Sequence, residues 1–391
     1  MVQPLVPQAF KRRIITKKSK IIIIAVVIAV VAAAVLTVKI FVPSMNYNKA
    51  EALMTDGKYS EAISAFTELG EYKDCADKIT ECKYLAASDL MNEKNYEQAA
   101  KSFEEIKDYK DSSLKAKESN YLYAGELMLA ADYEKALNLL VSLTDYEGSA
   151  EKSKECKYLW ASAYESEKKY AEALNLYKDI SDYKDAAVKT IAIEKNIINS
   201  SNVGDIVYYG ALEHKVIEWK VLAKDGNKVL VISKDILDSQ QYHWKNEMVT
   251  WEECSFRRWL NGTFDKNAFS AEEMKCISVS ELENTDNPVY DADGGANTKD
   301  RIFILSYEEV NQYLPENKDR LATGAEETTW WIRTPSAANS AEAFKALYYG
   351  YSSYNYYPCY INTDGGIYAG GSGNAVNEYG GVRPAMWIEI A

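Results

Sequence analysis

The sequence predicts a multidomain chain with an N-terminal transmembrane helix, then an all-α repeat array, then an α+β domain. Three observations predict it. Residues 21–38 form an apolar run interrupted only by Thr37. Four stretches between residues 47 and 199 repeat one pattern at a fixed step. After residue 201 the hydrophobic period changes from helical to alternating. A length of 391 residues with 47% hydrophobic content exceeds one ordinary domain and supplies more than one core.

The first element is a basic arm, residues 1–20, in which Lys11, Arg12, Arg13, Lys17, Lys18 and Lys20 face no acid. The net charge of −13, less the +6 of that arm, leaves −19 on the remainder, a balance that repels phosphate backbones and excludes nucleic acid as a partner. Residues 21–42 follow as a membrane span, with Lys39 able to snorkel and Pro43 expected to close the helix. The run is longer than the apolar region of a cleaved signal peptide, and its alanines lie inside it rather than behind it, which favours a retained anchor. With every early cation on the N-terminal side, the positive-inside rule predicts a cytoplasmic N-terminus and extracellular domains beyond Pro43.

Residues 47–199 hold four units with a period of 37: Tyr59, Tyr96, Tyr133 and Tyr170 are spaced so, as are Ala62, Ala99, Ala136 and Ala173, and Tyr72, Tyr109, Tyr146 and Tyr183. Each unit reads as two short amphipathic helices around a turn such as Gly57, plus a third element made of a Tyr-Lys-Asp turn and an Ala-Lys-rich helix. Small residues at Ala50, Ala87, Ala124 and Ala161 let neighbouring helices approach. The helix pair resembles tetratricopeptide-type repeats, though the step exceeds their usual length, and implies a stacked solenoid ended by a capping helix near residues 186–199. The recurring tyrosines read as packing between units rather than as a peptide groove.

Residues 201–391 open with three strand-like runs, DIVYYGA, VIEWKVLA and KVLVISKDIL, the last two joined across Asp225-Gly226-Asn227. Capping boxes at Thr250 with Glu253, Ser270 with Glu273 and Ser306 with Glu309 predict three helix starts, and strand character returns from Trp330. In order, IEWKVL, SFRRWLNGTF, DRIFILSYEEV, WWIRTPS and GGVRPAMWIEI are similar to a bacterial surface-protein domain family of unknown function, whose signatures read approximately WWLRSP and GVRPALW. Through that family the domain is distantly similar to C-type-lectin-like folds. The resemblance implies a fold and a location, and carries over no catalytic residue.

In WWIRTPS, strand alternation sends Trp331 and Arg333 one way and Trp330 and Ile332 the other, with one face required by the core. The signature residues Trp219, Trp259, Trp330, Arg383, Pro384 and Trp387 are expected to be structural. Trp331 and Arg333 read first as scaffold too, and as candidate ligand contacts only if they face solvent. Stronger ligand candidates are Tyr351, Tyr354, Tyr356 and Tyr357, in a Tyr-, Ser- and Asn-rich stretch of the kind that favours binding surfaces.

No GxSxG, HExxH or phosphate-loop motif occurs, so no catalytic residue and no cofactor is assigned. Cysteines 75, 82, 156, 254, 276 and 359 form no CxxC pair and read mostly as buried hydrophobes, and two histidines support no zinc site. Asp291, Asp293 and Gly294 hint at calcium, but Ile302 stands where an EF-hand loop needs Glu. The expectation is therefore a membrane-anchored surface protein whose repeats carry a domain for a glycan, peptide or protein ligand. Two rivals remain: an enzyme on surface carbohydrate using Glu252, Glu253 or Asp364, and a scaffold recruiting partners through the repeats.

Overall fold

The computed structural model describes residues 17–247, 249–289, 292–324, 329–336, 358–368 and 376–390. The chain is a helical region over residues 18–200 followed by a β-rich domain. It divides into two compact units, Met1–Ser153 and Lys154–Ala391.

In the first unit α1 (Lys17–Leu36) passes through a π-helical turn (Thr37–Phe41) into α2 (Val42–Thr55). The apolar side chains of α1 are exposed, and by length and composition this helix can cross a membrane. Pro43 does not close it. The proline falls in the first turn of α2, where its missing N–H costs nothing, so the helix runs on.

Next come α3 (Tyr59–Leu69), α4 (Cys75–Asn92), α5 (Tyr96–Glu104), α6 (Ser112–Leu129), α7 (Tyr133–Ser142) and α8 (Ser149–Ser166), which continues into the second unit. In the first three periods the expected third element has no separate existence. It is the first half of an 18-residue helix whose second half opens the next period, as in α4, which contains both Cys75 and Tyr84. No turn residue separates the two halves, and one long helix satisfies more backbone groups than two short ones.

The period is visible in the contacts. Alanines 50, 87, 124 and 161, and alanines 62, 99, 136 and 173, are all fully buried. The Tyr47 hydroxyl donates to Asp74 at 2.5 Å, Tyr84 to Asp111 at 2.6 Å and Tyr158 to Asp185 at 2.6 Å. Gly148 stands where the remaining period would have its aspartate, and there Lys152 sits 3.9 Å from the centre of the Tyr121 ring instead. The turn after each long helix needs a left-handed residue, met by Gly57 at φ 75° but also by Lys94, Ala131 and Lys168 at φ 60–63°.

The second unit adds α9 (Tyr170–Asp179) and α10 (Ala186–Ser200), then β1 (Ile206–Leu212), β2 (Lys215–Asp225) and β3 (Lys228–Ser233). A two-residue turn at Gly226 and Asn227 joins β2 to β3, as expected. The last helices belong to this unit because the β domain completes their core. Val216 is buried with Ala161, Leu174, Tyr177 and Ile193, and Ile198 of α10 enters the main core of the β domain. The Asn175 side chain also accepts from the Val216 N–H at 2.6 Å.

Beyond β4 (Asp238–Gln241) lie α11 (Ser255–Trp259), a π-helical turn (Leu260–Phe264), α12 (Asp265–Ala268), α13 (Ala271–Cys276), β5 (Ser280–Leu282), β6 (Thr298–Asp300), α14 (Tyr307–Tyr313) and α15 (Asn317–Arg320). The chain ends with β7 (Trp330–Pro335), β8 (Pro358–Ile361), β9 (Ile367–Tyr368), β10 (Tyr379–Val382) and β11 (Ala385–Glu389). One sheet runs β1-β2-β3-β11, a second β4-β10-β7-β8-β9, and a small third pairs β5 with β6.

Two of the three capping boxes form, at Ser270 with Glu273 and at Ser306 with Glu309. Thr250 and Glu253 only close a turn. The helix starts later, at α11, capped by the Cys254 sulfur, which accepts from the Arg257 N–H at 3.3 Å. All six cysteines are free, and all but the half-buried Cys276 are buried.

Candidate functional site

The WWIRTPS segment is β7, and all six of its residues are buried. The core required one face; β7 lies inside its sheet between β10 and β8, and both of its faces are buried. On one side the Trp330 indole donates to the Arg320 carbonyl at 3.0 Å, with the Arg383 guanidinium 4.9 Å from its ring centre. On the other the Trp331 indole donates to the Gln240 carbonyl at 2.8 Å and meets Tyr242 and Tyr360 edge-on.

Arg333 is held by both Glu309 carboxylate oxygens, one at 3.0 Å, and by the Ile304 carbonyl at 2.9 Å. Trp331 and Arg333 do not face solvent, the condition for the candidate ligand reading, and their polar groups are spent on the fold as the scaffold reading expects.

The other signature residues play similar parts. Arg383 is 2% exposed and donates to the carbonyls of Ser233 at 2.9 Å and Arg320 at 3.1 Å; burial pulls its pKa down to about 10. The Pro384 carbonyl accepts from the Ser233 N–H at 2.9 Å, and the Trp219 indole donates to the Tyr209 carbonyl at 2.7 Å. Half-buried Trp259 stacks on Phe256, and half-buried Trp387 packs against the core from β11. The glycines before Arg383 are there for close approach: a Cβ on Gly380 would stand 2.4 Å from the Trp331 ring.

Tyr351, Tyr354, Tyr356 and Tyr357 lie outside the described residues, as does Asp291. Asp293 accepts the Gly295 N–H at 2.9 Å, and Asp364 accepts the Gly366 N–H at 2.8 Å, so each caps its own loop. Among the described residues no cluster of three metal-ligating side chains forms.

Glu252 and Glu253 instead line a cleft of about 550 Å³ with His243, Trp244, Glu247, Val249, Arg257 and Arg258. The local sequence builds it by alternating anchors and exposed groups. Tyr242 is buried and donates to the Arg333 carbonyl at 3.0 Å; Trp251 is buried and donates to Asp300 at 3.0 Å. Between these anchors Trp244 is 58% exposed, with Lys245 4.0 Å from its ring centre.

The ring's backbone is fixed, since the Trp244 N–H donates to the Ser255 hydroxyl at 3.1 Å. His243 is buried beneath it. Its Nδ1 accepts the Ser255 N–H at 3.2 Å, which leaves Nε2 to carry the proton and donate to Glu247 at 3.0 Å. The result is an exposed indole bordered by three carboxylates and two guanidiniums, a set that offers a stacking face and both donors and acceptors. Trp244 and Arg258 were not singled out in the sequence. The signal available was a tryptophan in a polar stretch, HWKNE, close ahead of the Arg-Arg pair.

A larger groove of about 1110 Å³ lies between α10 and α13, lined by Val188, Ile191, Ala192, Phe269, Ala271 and others. It is mostly apolar, whereas the polar groups that could orient a ligand converge at the Trp244 cleft. At the groove's edge the buried Lys178 ammonium contacts Glu273 and lies 2.7 Å from Glu194. Burial pushes the Glu194 carboxyl up to about 8 against the pull of Lys178, with the Glu273 charge adding to the rise. Burial opposes the ionised forms of Lys178 and Glu273 as well. Their mutual attraction outweighs it, holding the lysine above and Glu273 below their ordinary ranges.

The fold and cleft define a helical protein carrying a β-rich domain with an exposed polar and aromatic site. Residues 226–390 match the model of a family described as a domain of unknown function, DUF6273. No curated protein matches the chain. The matched residues begin inside the β2–β3 turn, so β1 and β2, with Trp219, complete the same sheet from outside the match.

Proposed function

We propose that this is a single-pass, membrane-anchored bacterial surface protein whose repeats form a tetratricopeptide-like solenoid stalk and whose C-terminal, C-type-lectin-like domain binds a glycan in the Trp244 cleft. The carrying observation is Trp244 itself, 58% exposed on a fixed backbone beside Glu247, Glu252, Glu253 and Arg258. An indole face packs against the apolar face of a sugar ring while carboxylates and a guanidinium bond its hydroxyls. The apolar helix with its one-sided basic arm supports the membrane placement, N-terminus inside.

The test is a printed glycan array probed with the full chain in detergent, wild type against Trp244→Ala. Retention lost in the variant at an unchanged melting temperature supports the reading; equal retention by both overturns it. A second reading, hydrolysis of the bound carbohydrate, draws on Glu252 and Glu253 lining the same cleft. Release of reducing ends from a retained glycan by wild type and not by Glu252→Gln or Glu253→Gln would favour it. Exposure of the domains is tested by adding protease to intact cells, where protection of everything beyond Pro43 would refute the topology.

A further inference from the structure

Beside the Trp244 cleft, and sharing Arg257 and Arg258 with it, is a second cavity of about 390 Å³ lined also by Asn261, Asp265, Val279, Lys299, Asp300 and Arg301. Its charges divide into spent and unspent, and the unspent ones include one acid: Asp265 accepts the Lys266 N–H at 2.8 Å and, among the described residues, has no cation within salt-bridge distance, against two unpaired guanidiniums. Arg257 donates to Asp300 at 2.7 Å and to the Glu252 carbonyl at 3.0 Å, and Lys299 pairs with Glu281 at 2.6 Å. Arg258 and Arg301 are exposed and border the same space, and among the described residues no carboxylate lies within salt-bridge distance of either.

Both are carried on fixed backbone. Arg258 is in α11, and Asn261, at the kink of the π-helical turn, accepts from the N–H groups of Arg301 and Ile302, each at 3.1 Å. In a chain of net charge −13, two guanidiniums kept without acidic partners at one cavity form a local well for an anion.

Resting on the glycan reading above, we infer that the ligand is an anionic glycan. One sugar ring lies on Trp244, and an oxyanion on it or on the next residue, phosphate or carboxylate, is held between Arg258 and Arg301. Guanidinium forks match either oxyanion with paired hydrogen bonds, which a neutral hydroxyl cannot return. Arg257 and Arg258 line both cavities, so the two are neighbours that one extended ligand would bridge. The acidic rim of Glu247, Glu252 and Glu253 stays with the hydroxyl-rich part of the sugar, away from the anion.

The experiment uses the full chain in detergent on an array that prints each glycan as a matched set: neutral, with a uronate, and with a phosphate at the same position. Wild type is compared with Trp244→Ala and with the double variant Arg258→Gln/Arg301→Gln, whose exposed positions leave the melting temperature unchanged. The expected result is preference for anionic members of a set by ~10-fold or more, lost in the double variant, since a charge-assisted contact is worth about that factor. Whether uronate or phosphate is preferred decides the source of the oxyanion.

Trp244-dependent retention that is equal for neutral and anionic members overturns this inference and leaves the glycan reading standing. So does anionic preference that survives in the double variant. Absence of any Trp244-dependent retention overturns both.

Discussion

Replacing Glu194 by glutamine isolates one titrating group in the seam between α10 and α13. In the wild type Glu194 has no exposed side-chain surface, and burial raises its pKa from 4.5 to about 8. Such a carboxyl keeps its proton in the folded protein where the unfolded chain has released it. The stability it contributes is therefore complete below the unfolded value and is lost as the pH rises through about 8.

Each pH unit in that window removes about 1.4 kcal/mol, on the order of 5 kcal/mol across the whole of it. Glu273, held low, acts only below the window, and Lys178, held high, only above it. Glutamine mimics the protonated form, so Glu194→Gln should match wild type near pH 5 and exceed it progressively toward pH 8. The assay is urea unfolding of the full chain in detergent, followed by tryptophan fluorescence. All eight tryptophans lie at or beyond Trp160, so the signal reports the unit that contains the seam. Wild type and variant with the same dependence on pH between 5 and 8, or a wild type that gains stability over that range, would refute the reasoning.

Three further outcomes are expected. Trp331→Ala should destabilise the β domain by about 3 to 5 kcal/mol through a cavity and an unpaired Gln240 carbonyl, and Gly380→Ala should do so by driving a methyl into the same indole; fluorescence-detected urea midpoints check both. Glycine at Lys94 or Ala131, whose φ angles are 63° and 60°, should raise the helical melting temperature by removing about 1 kcal/mol of left-handed strain each, read by far-ultraviolet circular dichroism. Deleting residues 84–120 joins the first half of α4 to the second half of α6 in register and should leave a cooperative melt, whereas deleting half a period should abolish it.

Much of the architecture was legible because it is written in local periods. The apolar run, the 37-residue step, the two-residue turn at Gly226 and Asn227 and the capping boxes at Ser270 and Ser306 each concern residues close in sequence, where sterics and hydrogen bonding act directly. The Thr250 box failed for a tertiary reason, since Trp251 and Cys254 are drawn into the core and the helix starts only after them. The seamless α4, α6 and α8 were hidden because a helix needs a breaker to end, and a junction such as Glu81-Cys82-Lys83-Tyr84 offers neither glycine nor proline.

The site is where sequence stopped. Alternation along β7 could say that Trp330 and Trp331 face opposite ways, but not that both faces are covered, because coverage depends on Arg320 and Arg383 on one side and Gln240, Tyr242 and Tyr360 on the other, brought in by separate segments. Nor could it bring Arg258 beside Arg301 or leave Trp244 exposed between two buried aromatics. Local order follows from the sequence because it is decided within a turn or two of chain. Which charges stay unpaired, and which rings meet water, is decided only when distant segments compete for the same partners.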